Sequence, residues 1–413
     1  PAGLVVDVSG ATDLATNIPR YQARTIRLTG YLDGGFASSG TDHFQADLHT
    51  SVIAAPPLPR LRLPGNVLDA LDIGQGCSIT LRVGPAWRFQ ATLQPTAYSA
   101  GDIQVLSCPF PPTVRFAYAL SDTSVEVTFD HFIDPATVDA ADFDIPGLVV
   151  LTAIGNGRKV VLGTIPQISA NRYTVAVSNV ATPFGVPIGN TGNTASFTGY
   201  SPAPTGLVIN EIDYDQPGTD NFEYIELYNS STSPVDLGGL ELVLANGDDT
   251  STIARREYSR FRLLNTVNDA GVLTNVLPPG GYFVAGRGDG GSGGATTWLL
   301  APVPDDALRI TWGTANVVQN GPTDGVGLLH YATGTMVDSV SYVAPTTTQS
   351  STFTIATGVG DRSFNFAEGN TYAPGDIGFD AGVIARQPNG TDTNSNSADW
   401  LFVIPYTPGG PNP

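Results

Sequence analysis

The sequence predicts an all-β chain built of several small units, and three observations lead there. The 413 residues include 47 Gly and 32 Pro, too many turn-formers for a helical bundle. Apolar residues reach 41%, too many for a disordered chain. The apolar positions recur with a period of two in short runs bounded by Gly, Pro and Asn, the spacing of half-buried strands. At roughly 150 residues per domain the length divides into two to four units.

The first unit spans residues 1–110. Phe44, Ala46 and Leu48 alternate with His43, Gln45, Asp47 and His49. Cys77, Ile79, Leu81 and Val83 repeat the pattern, and Trp87, Phe89 and Leu93 continue it after Gly84-Pro85. About five strands are predicted, with one short helix over Asn66–Leu71 before Gly74 and Gly76 stop it. Five strands with a helix before the fourth resemble an OB-fold barrel. On that parity Phe44, Trp87 and Phe89 fall on the core face.

Pro109, Pro111 and Pro112 form a linker. In the second unit, residues 111–202, Val125, Val127 and Phe129 alternate with Glu126 and Thr128, and Tyr173, Val175 and Val177 with Thr174 and Ala176. The "TFD…DP" edge, the "YTVAV" strand and the closing "GVPIGN" turn resemble the bacterial Ig-like domains of surface-layer and adhesion proteins, which serve mostly as spacers.

A second linker, Ser201 to Pro204, opens the third unit, residues 203–413. Its blocks "LVINEIDYD", "EYIELYNSSTSPVDLGGLELV", "LPPGGYFVAG", "DGVGLLHYATGTMVDSVSY" and "RQPNGTDTNSNSADW" occur in order. Together they resemble the lamin-tail domain, an Ig-like sandwich, in the form carried by exported bacterial proteins. Insertions around 247–275, 287–311 and 344–380 make this copy longer than usual, and long ordered insertions tend to carry function.

Charge divides unevenly. There are 38 acids against 19 Lys and Arg, a net charge of −19. Most of the excess lies beyond residue 200, in the lamin-tail-like unit. Such acidity repels phosphate backbones and argues against general nucleic-acid binding. No apolar run reaches the 18 or more residues of a membrane span. The sequence opens on Pro1 rather than Met, which fits a segment removed on export; an extracellular or cell-surface location is expected.

Several side-chain groups are candidates for chemistry. Asp392, Asn394, Asn396 and Asp399 place oxygens at short intervals along a loop, as a calcium site requires, although the Gly and closing Glu of an EF-hand loop are missing. A polar turn capping its own backbone is the competing reading. Asp213 and Asp215, with Asp220 and Glu223, form a second acidic group with the same two readings. His43 and His49 share a strand face with Asp47, short of the three or four ligands of a secure zinc site. Glu223 and Glu226, three apart on a strand, point to opposite faces and do not make one acid-base pair. Arg287-Gly288-Asp289 reads as a Gly-rich loop.

Arg255, Arg256, Arg260 and Arg262 are a basic cluster in an acidic unit. They could dock on the acidic surface of a neighbouring copy and propagate an assembly, or form a local ion-pair network with Asp248, Asp249 and Glu257. Cys77 and Cys108, the only cysteines, are expected to form a disulfide joining the start of the fourth strand to the end of the fifth.

The function expected is that of an exported, non-catalytic structural or adhesive surface protein, a homo-oligomer or filament in contact with other surface components. The alternative is an accessory module binding single-stranded nucleic acid or carbohydrate through its barrel, since lamin-tail and OB-like domains accompany exported nucleases.

Overall fold

The computed structural model describes residues 4–40, 42–218, 220–247, 257–267, 271–287, 303–304, 306–346, 349–375 and 382–413. Among them strands dominate, and three separate hydrophobic cores follow one another along the chain.

The first core lies inside a coiled sheet of seven strands. Its path runs Arg60–Pro64, His43–His49, Thr25–Ser38, Ser78–Phe89 and Thr92–Pro95. A parallel bridge between Arg62 and Thr96 joins the two ends and closes the barrel. The predicted helix is Gly65–Leu71. It stops at Asp72, whose φ of 51° puts it in the left-handed region. Cys77 and Cys108 are joined by a disulfide that ties the start of Ser78–Phe89 to the end of its neighbour Ile103–Ser107.

The barrel corrects one expectation. Ile79 and Leu81 are buried, but Trp87 and Phe89 are 52% and 63% exposed. The cause is a bulge: Ile26 pairs with Gly84 while Leu28 pairs with Leu81, so the two strands advance by unequal steps and the faces exchange. Gly84 sits at the bend, where a Cβ would lie 2.2 Å from the Thr96 carbonyl oxygen. Ala86 takes over the inward position.

The second core is a sandwich. One sheet has the order Val150–Asn156, Lys159–Thr164, Ser124–Phe129, Val114–Ser121; the other has Phe143–Asp144, Arg172–Val177, Thr194–Thr198. Val125, Val127, Val160, Leu162, Val175 and Phe197 meet between them. Glu126 and Thr128, the other parity, are buried as well, because the third unit covers that face.

The third core lies between a six-stranded and a four-stranded sheet. The first has the order Leu308–Trp312, Tyr282–Arg287, Tyr224–Asn229, Leu207–Asp213, Val383–Arg386, Trp400–Val403, and the second Glu257–Arg262, Leu240–Ala245, Gly325–His330, Thr335–Ser341. Ile209, Ile225, Leu227, Leu242, Leu328 and Trp400 fill the space between. The hairpin Thr352–Ile355 and Arg362–Asn365, from the third insertion, lays Phe353 and Ile355 over the outer face of the smaller sheet against Val243 and Leu329. Strands buried on both faces lose the alternation of a half-solvated sheet, which is why Leu240–Ala245 is apolar at five of six positions.

Candidate functional site

The charged groups gather in three places, and the largest is centred on a residue the sequence did not single out. Arg386 ends the strand Val383–Arg386 and is fully buried. Its guanidinium forks onto both oxygens of Asp338, at 2.7 and 3.0 Å. It also donates to Asp399 at 3.2 Å and to the carbonyls of Ile209 and Thr391, and Asp392 lies at 3.6 Å. Glu368 stands 3.9 Å away. One guanidinium thus faces four carboxylates. Burial, reinforced by the charge of Asp338, pushes Glu368 up to about 8, so it holds a proton at neutral pH. Asp338 is pushed up by burial to about 6, with Arg386 opposing.

The asparagine and aspartate loop is folded against this centre. Asp399 accepts from the Thr393 amide and hydroxyl as well as from Arg386. Asn396 is buried, with its amide donating to the Phe366 carbonyl. Asn394 is exposed and has a φ of 56°. Asp392 accepts from the Asn394 amide at 2.9 Å within its own loop and also approaches Asp338 and Glu368, and these three carboxylates come within 4.8 Å of one another.

Asp213 is buried and accepts from Gln216 at 2.9 Å. Asp215 lies near Asp220 and is raised by burial and by that neighbour's charge. Glu223 caps the amides of Val317 and Val318, and burial lifts it to about 7. Glu226 turns instead toward Glu211, its partner on the adjacent strand. Both are buried and raised by burial. Their oxygens accept from the amides of Thr407 and Gly409, so the end of the chain is clamped across them. The histidines of the barrel do not converge: His49 turns to Asp33, and Asp47 pairs with Arg60.

The other two places lie between units. Asp72, at the end of the barrel's helix, accepts from Arg158 at 2.7 Å and from the Phe132 amide at 2.6 Å, with His131 Nδ1 at 3.1 Å. Burial alone would raise its carboxyl, but these donors outweigh burial and lower it. Between the second and third units, Tyr118 donates to Glu241, which also takes Arg260 at 2.8 Å. Arg262 lies 3.9 Å from the centre of the Tyr118 ring and donates to the Ala117 carbonyl at 2.6 Å. Alongside, Glu126 accepts from Tyr331 at 2.6 Å and from Lys159 at 3.0 Å. Arg260 and Arg262 are therefore turned onto the chain's own second unit and its own acids, Glu257 among them, not onto a free surface. Arg255, Arg256, Asp248 and Asp249 lie outside the described residues, as do Gly288 and Asp289; Arg287 is held by Asn221.

The Lamin Tail Domain family model matches residues 200–344. Among solved structures the chain is similar to the N-terminal part of the bacterial S-layer protein SbsC, at 20% identity over 35% of this chain and 37% of that one, with a TM-score of 0.23. It is also similar to a DUF4876 family protein from Bacteroides thetaiotaomicron, at 10% identity over 72% of this chain and 96% of that one, TM-score 0.25. The chain spans well under half of the S-layer structures it matches. No curated protein matches. No helix among the described residues is long and apolar enough to cross a membrane.

Proposed function

We propose that the chain is a non-catalytic structural protein of the cell surface, in which three β units are locked into one body that holds a fixed distance. The observation that carries this reading is the pair of polar locks between units. Across the first boundary Asp72 accepts from Arg158 and the Phe132 amide, and across the second Glu126 and Glu241, 4% and 2% exposed, accept from Tyr331 and Tyr118. Opening either boundary breaks these hydrogen bonds to ionised carboxylates, so opening is opposed. Hinged enzymes need the opposite, a boundary that parts readily. The disulfide in the barrel fits an oxidising compartment. Immunogold labelling of intact source cells, with fractionation, tests the location. Label on the outer face supports the reading, and a protein confined to the cytoplasm contradicts it.

One observation favours a second reading, in which the barrel binds a ligand. Trp87 and Phe89 stand exposed on the hairpin Ser78–Phe89 and Thr92–Pro95, with Gln94 opposite Trp87 and bonded to Gln45. Exposed rings beside amides suit the apolar faces of sugar rings or bases. With a net charge of −19, a neutral carbohydrate is the better fit. Titration of the intrinsic tryptophan fluorescence with soluble oligosaccharides and with a short oligothymidylate decides it. A saturable change lost in Trp87→Ala supports the reading, and a flat titration removes it.

A further inference from the structure

The second unit has one face whose chemistry is unlike the rest of the molecule. No Asp or Glu occurs between Asp144 and Glu211, in a chain that carries 38 acids. Within that stretch the strand Val150–Asn156 forms the edge of its sheet. Among the described residues its backbone bonds to no strand other than Lys159–Thr164. Edge strands are ordinarily guarded by charge, by Pro or by a covering segment. The edge strand Glu257–Arg262 of the third unit carries Glu257, Arg260 and Arg262. Val150–Asn156 carries no charge and no Pro.

Its outward side chains are apolar. Ile154 lies opposite Val161, and Val149 opposite Ile165, so all four point the same way. Leu151, the extra residue of a bulge, stands out beside them. Ile154 and Leu151 are 69% and 60% exposed. Gly163, facing Thr152, keeps the surface flat, since a Cβ there would meet the Thr152 hydroxyl at 2.4 Å. The nearby cations are already occupied, Arg158 by Asp72 and Lys159 by Glu126, so the face is close to neutral. It continues the same sheet surface whose other half, at Glu126 and Tyr118, is already covered by the third unit.

We infer that this face is a docking surface for a second copy of the chain, laid sheet against sheet across a two-fold axis. A neutral apolar face offers nothing to an acidic peptide or a phosphate. Two copies with a net charge of −19 each repel one another over most of their surfaces, and the acid-free stretch is where that repulsion is smallest. A two-fold contact matches the face with itself, burying Ile154, Leu151 and Val161 of both copies and closing the assembly at a dimer. The inference deepens the structural reading and rests on it only for its meaning at the cell surface.

Sedimentation velocity on the purified full chain, from about 1 to 100 µM, is the test. Purified protein reports pairing wherever the cell places the chain, so failure here and failure of the surface location are separate results. The wild type is expected to shift from monomer to dimer across this range. Leu151→Lys and Ile154→Lys, both at exposed positions, should remain monomeric with an unchanged melting temperature, because each would bury an ammonium against apolar neighbours. Should either lower the melting temperature, Ile165→Lys, just past the end of the adjoining strand, serves in its place. Val359→Lys, a comparably exposed position in the third unit, should dimerise like the wild type. Salt gives an independent sign: raising NaCl screens the mutual repulsion and should strengthen the dimer. A monomer at every concentration, variants that dimerise like the wild type, or a dimer that dissolves in salt would each overturn the inference.

Discussion

Arg386 is the residue on which most of the third unit's buried charge depends. It is 0% exposed and serves Asp338, Asp399, Asp392 and two carbonyls. Arg386→Met keeps the volume and removes the charge, leaving Asp338 buried and unpaired. Urea unfolding should show a loss of about 3–5 kcal/mol. Arg386→Lys keeps the charge but loses the fork, and should recover only part of it. Glu368 gives a pH signature. Its pKa is raised to about 8 in the fold against 4.5 as the ordinary value, so the folded state binds the extra proton. That stability is complete below about pH 4.5 and is lost as pH rises through 8. Glu223, raised to about 7, acts in the same direction. Thermal melts should therefore fall between pH 5 and 8, and Glu368→Gln should flatten that slope and raise the melting temperature at pH 8. The disulfide acts through the unfolded chain. With Cys77 and Cys108 separated by 31 positions, replacing both by Ala should cost about 3–4 kcal/mol, measured by denaturant titration under oxidising conditions.

Single strands decide how the units meet. Glu257–Arg262, from the first insertion, sends Arg260 to Glu241 and Arg262 onto Tyr118. Arg262→Ala removes a stacked cation and its bond to Ala117, roughly 2–3 kcal/mol of contact between the second and third units. Limited proteolysis should then cut faster near residues 200–206 while the separate units stay folded. Much of this level was legible in the sequence: the helix over residues 66–71, the strand at 125–129, and the first four lamin-tail-like blocks, which fall within the matched residues 200–344. What was hidden has physical causes. The bulge opposite Gly84 exchanges the faces of one strand, so Trp87 and Phe89 come out where parity put them in. Glu126 alternates as a solvent-facing residue would, and only the neighbouring unit makes it buried. Arg386 is the last residue of a short apolar strand, and nothing local distinguishes it from a solvated arginine. The asparagine and aspartate loop was visible as a group of oxygens, but their use depended on Arg386 and on Asp338, 48 residues earlier.

For the whole molecule, net charge and fold point to one arrangement. The excess of acids falls on the lamin-tail-like unit, while the second unit keeps an acid-free flank, so the chain is polarised between a face that repels copies of itself and one that does not. Its three cores are separate, and what makes them one object is the pair of locks at Asp72 and at Glu126 with Glu241. A structural spacer keeps its length only if these hold. Small-angle X-ray scattering of the monomeric full chain, recorded in low and high salt, measures that directly. The account predicts a compact, bell-shaped Kratky profile that is reproduced by the single arrangement of units described above and does not change with salt. A profile that rises at high angle, or that fits only a mixture of arrangements with the units rotating about residues 109–112 or 201–204, would contradict it.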